Sequence, residues 1–362
     1  MGTPAAPHGP AALTGRLARL AAGPGPEPAR DTGPGLGLEP ARGPGTGPVP
    51  ARGAAPTRHP TTVLADRPDA TVVRCGHVVA KAHAPECDPG GLAVRLRIAA
   101  HPALRGILLP PLPVTGSGGL LTLLDDGRPA TRWPYGSPVS PDAPDAAPWE
   151  ETARLLARLH RVAPSRLPGP VPPMRGPAKA ARALARMRAA TTAPGAAAAL
   201  LRAATTVDRA WSLLPPWARD EAPPPRTAAL CHGDLHLGQL VRHPADGGPW
   251  LLIDVDDLGL GDPAWDLARP AAWFATGLLD PAVWSRFLGA YRAAGGSAVR
   301  PYGDPWPELD VPARALTVQT AALAVAKAAT AGRPLDDDEC AVVAACGRMA
   351  CAGPELADRA EP

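Results

Sequence analysis

Short runs rich in valine, leucine and threonine, separated by turn residues, fill the stretch from Thr61 to Trp133. Thr62-Val63-Leu64, Thr71-Val72-Val73-Arg74 and 77–83 read as β-strands, with turns at Arg67-Pro68-Asp69 and Cys75-Gly76. Residues 89–100 read as a helix with Leu92, Leu96 and Ile98 as its apolar positions. Segments 107–109, 119–124 and 130–133 are expected to continue the sheet. Beyond residue 136 the period becomes helical. Trp149, Leu155, Leu156 and Leu159 share one face of a helix over 149–162. Alanine-rich helices follow at 178–189 and 196–214, separated by Pro194-Gly195 and expected to serve packing. Others begin at Asp262-Pro263 and Asp280-Pro281, where Asp caps and Pro occupies the first position. The last two are expected at 312–330 and 336–350.

One stretch breaks this helical texture. An apolar run at 228–230 leads into Cys231-His232-Gly233-Asp234-Leu235-His236-Leu237-Gly238-Gln239-Leu240, and Leu251-Leu252-Ile253-Asp254-Val255-Asp256-Asp257 follows. Leu240 and Val241 are expected to pair with Leu251 and Leu252 through a turn containing Asp246-Gly247. That hairpin carries Gln239 at its start and Asp254 at its end, with Asp234 on the loop just upstream. Two carboxylates and an amide carbonyl then share a small volume, and such oxygen donors suit a hard cation such as magnesium.

His232-Gly233-Asp234-Leu235-His236, the later Ile253-Asp254, and Gly261-Asp262-Pro263-Ala264-Trp265-Asp266-Leu267-Ala268 together resemble the aminoglycoside phosphotransferase and choline kinase superfamily. The loop variant is most similar to that of maltokinase-type members. The resemblance implies an α+β, two-lobed protein-kinase-like fold: a small antiparallel-sheet N-lobe over 56–135 and a mostly helical C-lobe over 136–355. It implies a kinase that uses ATP and Mg2+ to phosphorylate a hydroxyl of a small-molecule acceptor of sugar, aminoglycoside or amino-alcohol type. Asp234 is then the catalytic base and Asp254 the metal-binding Asp. Gln239 stands where most members have a metal-binding Asn, and Asp256 is a candidate for a second metal. Asp266 is implied to anchor the catalytic loop; His232 is expected to brace it, His236 is a candidate for contact with the substrate, and Asp257 has no role beyond hydrogen bonding. His160, on the 149–162 helix, is expected to be structural.

Lysine is rare, present only as Lys81, Lys179 and Lys327. Lys81, on a strand with apolar neighbours, fits the lysine that contacts the α- and β-phosphates; the alternative is a surface lysine on an edge strand. A protein kinase pairs that lysine with a helix glutamate. Here the 89–100 helix carries Arg95 and Arg97 and no acid, and Glu86 and Asp88 just before it are the substitutes. Trp133 falls where the inter-lobe hinge is implied, so it either lies beside adenine or packs in the core.

Residues 1–55 are dominated by Pro, Gly, Ala and Arg and are expected to be disordered and dispensable. A short helix near 13–22 and a phosphate loop at Gly33–Gly37 are the alternatives there; the latter lacks a following helix and a Gly-Lys-Ser/Thr. Hydrophobic residues make up 45% of 362 residues, enough for a core, whereas aromatics are 4%. A net charge of +3 without a polybasic run gives no argument for nucleic acid or a membrane surface. No apolar run is of spanning length and no signal-peptide layout opens the chain, so a cytoplasmic location is expected. Six cysteines without a Cys-x-x-Cys pair read as reduced, mostly buried thiols. Asp336-Asp337-Asp338-Glu339 reads as a helix start, with a patch for an amino-sugar cation as the alternative.

Two other functions fit parts of the pattern. A nucleotide-binding regulatory module without turnover accommodates Gln239 and the missing helix acid. A two-metal phosphoesterase accommodates Asp234-Leu235-His236 with Asp262, although such enzymes need a later Gly-Asn-His and this chain has no Asn.

Overall fold

The computed structural model describes residues 10–23, 60–67, 69–114, 118–143, 146–192, 197–227 and 229–351. The glycine-rich 33–37 stretch, the Pro194-Gly195 break and Ala228 lie outside these. The chain forms two compact units: 1–87 with 112–135, and 88–111 with 136–362.

In the first unit, helix α1 (Pro10–Ala22) precedes strands β1 (Thr61–Arg67), β2 (Ala70–Cys75), β3 (Val78–Ala82), β4 (Leu121–Leu123) and β5 (Pro129–Pro134). The sheet is antiparallel, in the order β1-β2-β3-β5-β4. Helix α1 corrects the expectation that 1–55 lacks structure. Leu13, Leu17 and Ala21 recur every four residues and pack on Val73, Ala80, Ala82 and Ala130. The small alanines on that sheet face leave room for the leucines. Arg16 reaches Asp125 (3.3 Å) and Asp126 (3.5 Å). The alternative of a short helix near 13–22 is the one the structure bears out; a helix this short is marginal alone, and its stability comes from the sheet.

The second unit begins with α2 (Pro89–Ala99), capped by Asp88, which accepts from Gly90 N (3.0 Å) and Gly91 N (2.8 Å). Expected as part of the N-lobe, α2 groups instead with the helical unit. Buried Arg95 donates to the carbonyls of Leu258 (2.8 Å) and Pro173 (3.2 Å). Residues 107–109, also expected in the first sheet, lie along the hairpin that follows Gln239: Leu252 N donates to Ile107 O and Leu109 N to Leu252 O, each at 2.9 Å.

That hairpin is β8 (Leu240–Arg242) and β9 (Trp250–Leu252), joined by β6 (Ser137–Pro138) in the order β6-β8-β9. Its register pairs Leu240 with Leu252 and Val241 with Leu251, as the pattern predicts. A second ribbon pairs β7 (Ala229–Cys231) with β10 (Gly259–Gly261), a strand that two glycines hid from sequence reading. Helices α3 (Trp149–His160), α4 (Gly176–Thr192), α5 (Ala198–Ser212), α6 (Ala264–Thr276), α7 (Pro281–Ala293), α8 (Trp306–Ala331) and α9 (Asp337–Cys351) make up the rest. Helix α8 starts before Pro312, which sits inside it. The scarce aromatics are concentrated here: Trp149 meets Trp273 and Phe287 edge-on, and Phe274 stacks on Trp284. Cys231 and Cys346 are buried as expected, but Cys340 and Cys351 on α9 are exposed. Among the described residues no helix is long and apolar enough to cross a membrane.

Candidate active site

The loop after β7 is held by one buried carboxylate. Asp266, in the first turn of α6, accepts from the backbone N of His232 (2.6 Å) and of Gly233 (2.8 Å). It also accepts from His160 Nε2 (3.0 Å). Because a carboxylate has no proton to give, His160 carries hydrogen on Nε2. Its Nδ1 then accepts from the Tyr291 hydroxyl (2.7 Å), which itself accepts from Ala298 N (2.9 Å). Burial pushes the Asp266 carboxyl up, but the hydrogen bond from His160 and those from the loop backbone together leave it below the ordinary range. Burial likewise raises the Tyr291 phenol, so this relay keeps its proton. His160, Cys231 and Asp266 offer ligand atoms within 4.8 Å of one another. Both ring nitrogens and both carboxylate oxygens are already engaged, so the cluster is a brace. Burial raises the Cys231 thiol well above its usual value, which removes it as a nucleophile.

Gly233 lets the loop turn. Its φ is +85°, and a Cβ there would sit 2.4 Å from the Asp257 carbonyl oxygen. His232 braces the loop from the other side, donating from Nε2 to Ile253 O (2.7 Å). This bond ties the Asp234 loop directly to the residue before Asp254.

Asp234 is gripped by two cations. Lys179 Nζ donates to one oxygen (2.5 Å) and Arg269 Nη2 to the other (2.8 Å). Lys179 also donates to Asp257 (2.9 Å), and Arg269 Nε to Leu235 O (3.0 Å). Burial raises the Asp234 carboxyl, yet Lys179 and then Arg269 more than reverse this and hold it below its ordinary value. Burial works against the Lys179 ammonium, but Asp257 and Asp234 together raise its pKa. His236 is driven by burial down to about 4 and is neutral near pH 7. Its Nδ1 accepts from Gly238 N (3.1 Å), which leaves hydrogen on Nε2.

The Asp254 turn is built differently. Asp254 has φ of 64°, a left-handed backbone that non-glycine residues seldom adopt. The Gln239 side-chain amide donates to its carboxylate (3.3 Å), and Ile253 N donates to Gln239 O (2.9 Å). Turning that amide over presents Oε1 instead, so the pair fits an oxygen-liganded divalent cation. Asp256 is half-buried two residues later.

The remaining two sequence candidates belong to the first unit. Lys81 lies on β3, in register with Val72 and Thr131, so it is on an internal strand and not an edge one. Trp133 is buried on β5 and donates from its indole N to Thr131 Oγ1 (2.9 Å), which places its ring in the core. Sequence reading missed the roles of Lys179, Arg269 and His160's partner Tyr291. Two signals were available: Lys179 is one of three lysines, and Arg269 follows Asp266 by one helical turn. The Asp262 carboxylate, which a phosphoesterase would need for metal, pairs with Arg226 (2.8 Å) and accepts from Ala264 N (3.0 Å) at the start of α6.

The fold is that of small-molecule kinases. Aminoglycoside phosphotransferase APH(4)-Ia, as a thermostable mutant in ternary complex with AMP-PNP and hygromycin B, superposes with a TM-score of 0.52 at 15% identity, covering 83% of this chain and 96% of that one. Choline kinase LicA from Streptococcus pneumoniae gives 0.50 at 14% identity, over 82% of this chain and 94% of the other. No curated protein matches the sequence. Residues 92–306, more than half of the chain and including the whole Asp234–Asp266 constellation, match the phosphotransferase enzyme family APH, and the chain belongs to that family.

Proposed function

We propose that this phosphotransferase moves the γ-phosphoryl group of ATP to a hydroxyl of a small-molecule acceptor, with Asp234 as base. The observation that carries the reading is the Asp234 carboxylate: ionised, gripped at both oxygens, and on a loop locked by Asp266. The bond from Pγ to the β,γ-bridging oxygen breaks as one forms to the acceptor oxygen, and the acceptor proton passes to Asp234. A weakly basic carboxylate suffices, because in a loose phosphoryl transfer the proton leaves late and alignment matters most.

Asp254 and Gln239, with Asp256 beside them, would hold magnesium, which supplies neutralisation of phosphate charge. The nucleotide complex of the APH(4)-Ia relative supports nucleotide as donor. Lys81, on an internal strand, remains our candidate for the phosphate contact. The phosphoesterase reading loses support, since Asp262 is engaged by Arg226. Nucleotide consumption with a panel of hydroxyl acceptors tests the proposal. Acceptor-dependent ADP release that is lost in Asp234→Asn supports it; binding of ATP without turnover of any acceptor would point to the regulatory module instead.

A further inference from the structure

Four basic residues lead away from the candidate base along one side of α4. Arg175, just before the helix, is followed by Lys179, Arg182 and Arg186 at intervals of four, three and four residues. That spacing puts all four on one helical face. The inner end is engaged: Lys179 bridges Asp234 and Asp257, and Arg175 Nε lies 3.8 Å from Asp257. Further along, Arg182 and Arg186 are exposed and make no ion pair among the described residues. Gly176 fixes this helix closely against α6, because a Cβ there would fall 2.2 Å from Trp265 Nε1.

Like charges one turn apart on a helix repel. Partial burial of its inner part, with repulsion from Arg175 and Arg186, weakens the hold of Arg182 on its proton, while Asp257 and Asp220 act in the opposite sense. Asp234 and Asp257 are already paired with Lys179, Arg269 and Arg175, whereas Arg182 and Arg186 farther along the same face keep their charge uncompensated by an ion pair among the described residues. A polycationic acceptor would meet repulsion there. Within the acidic run offered for such a cation, Asp336 and Glu339 are committed to a capping box (2.9 and 3.0 Å), and Arg333 takes both Glu339 oxygens at 2.7 Å.

We infer that the acceptor carries an anionic group, a phosphate or a carboxylate, which seats on Arg182 and Arg186 while its hydroxyl reaches Asp234. This rests on the phosphotransferase reading and narrows it to one substrate class. Arginine forks suit both anions, so the two sources are separated by experiment.

The test compares acceptors matched in skeleton and differing in charge: glucose, glucosamine, gluconate and glucose 6-phosphate, with glycerol, glycerate, glycerol 3-phosphate and ethanolamine as a shorter series. Within a series the anionic member is expected to exceed the neutral and cationic ones in kcat/KM by about tenfold or more. The better of the carboxylate and phosphate arms names the anion. For that acceptor, Arg182→Glu with Arg186→Glu should raise KM about tenfold or more while the nucleotide KM changes less than about twofold. Both side chains are exposed, so circular dichroism and melting temperature should hold. Preference for a cationic or neutral member, or turnover of such a member with none of any anionic one, overturns the inference and leaves the phosphotransferase reading standing; ATP binding with turnover of no member overturns both. A rise in nucleotide KM alone would assign the stripe to the nucleotide and overturn it equally. Failure to bind ATP at all would remove the underlying reading and this inference with it.

Discussion

Asp234 and Asp254 sit on adjoining loops linked by the His232–Ile253 bond, yet the protein treats them in opposite ways. Asp234 has ordinary backbone and a side chain held by Lys179 and Arg269. Asp254 has a left-handed backbone and faces the uncharged amide of Gln239. The first arrangement fixes an ionised carboxylate in place and lowers its basicity. The second stores strain to point a carboxylate, beside an amide that turning over would make an oxygen donor. Asp266 is the support common to both, because its hydrogen bonds set the loop from which His232 reaches across.

Removing that support should have the largest effect. Asp266→Ala leaves two buried backbone N–H groups and His160 Nε2 without their acceptor. Loss of about 3–5 kcal/mol is expected in denaturant unfolding, with turnover at background. The pH dependence has a definite sign. Asp266 is held below 3.8, so it contributes stability above that pH which is lost as pH falls through its lower folded value. Acid unfolding of the wild type should therefore be steeper below pH 3.8 than that of Asp266→Asn.

The first unit provides a control that leaves both aspartates untouched. Leu17→Ala should cost about 2–5 kcal/mol, since Leu17 is fully buried against the sheet. Deletion of residues 1–55 should lower the melting temperature as well, and an unchanged value would show that α1 contributes nothing.

A subtler change sharpens the contrast itself. Lys179→Met removes the strongest of the interactions that lower the Asp234 carboxyl and leaves burial opposed by Arg269. The acid limb of kcat/KM should then move to higher pH. An unmoved limb would mean that Lys179 does not tune the base. The smallest effect is expected for Gln239→Asn, which keeps an amide beside Asp254; kcat should stay within about threefold, the scale of a conserved polar contact slightly displaced.

Much of this was legible in the chain. The register of the Leu240–Leu252 hairpin followed from alternation and a turn, and the loop residues from a motif with fixed order. Local signals sufficed there because the site is built from sequence neighbours. What escaped was long-range. Lys179 lies 55 residues from Asp234, on a helix whose alanines suggested packing alone. Helix α1 is open to sequence reading as a short helix near 13–22, but not its packing, which covers Val73, Ala80 and Ala130 far along the chain. Arg95 replaced an expected acid, and its partners are carbonyls that no side-chain pattern reveals.

Titration calorimetry with ATP, with and without magnesium, on Asp234→Asn and Asp254→Ala tests the division of roles most directly. Asp254→Ala should lose the magnesium-dependent part of ATP binding. Asp234→Asn should keep that binding while turnover falls by about 10² to 10⁴, the weight of a positioned base. Loss of magnesium-dependent binding in Asp234→Asn, with its retention in Asp254→Ala, would contradict the account.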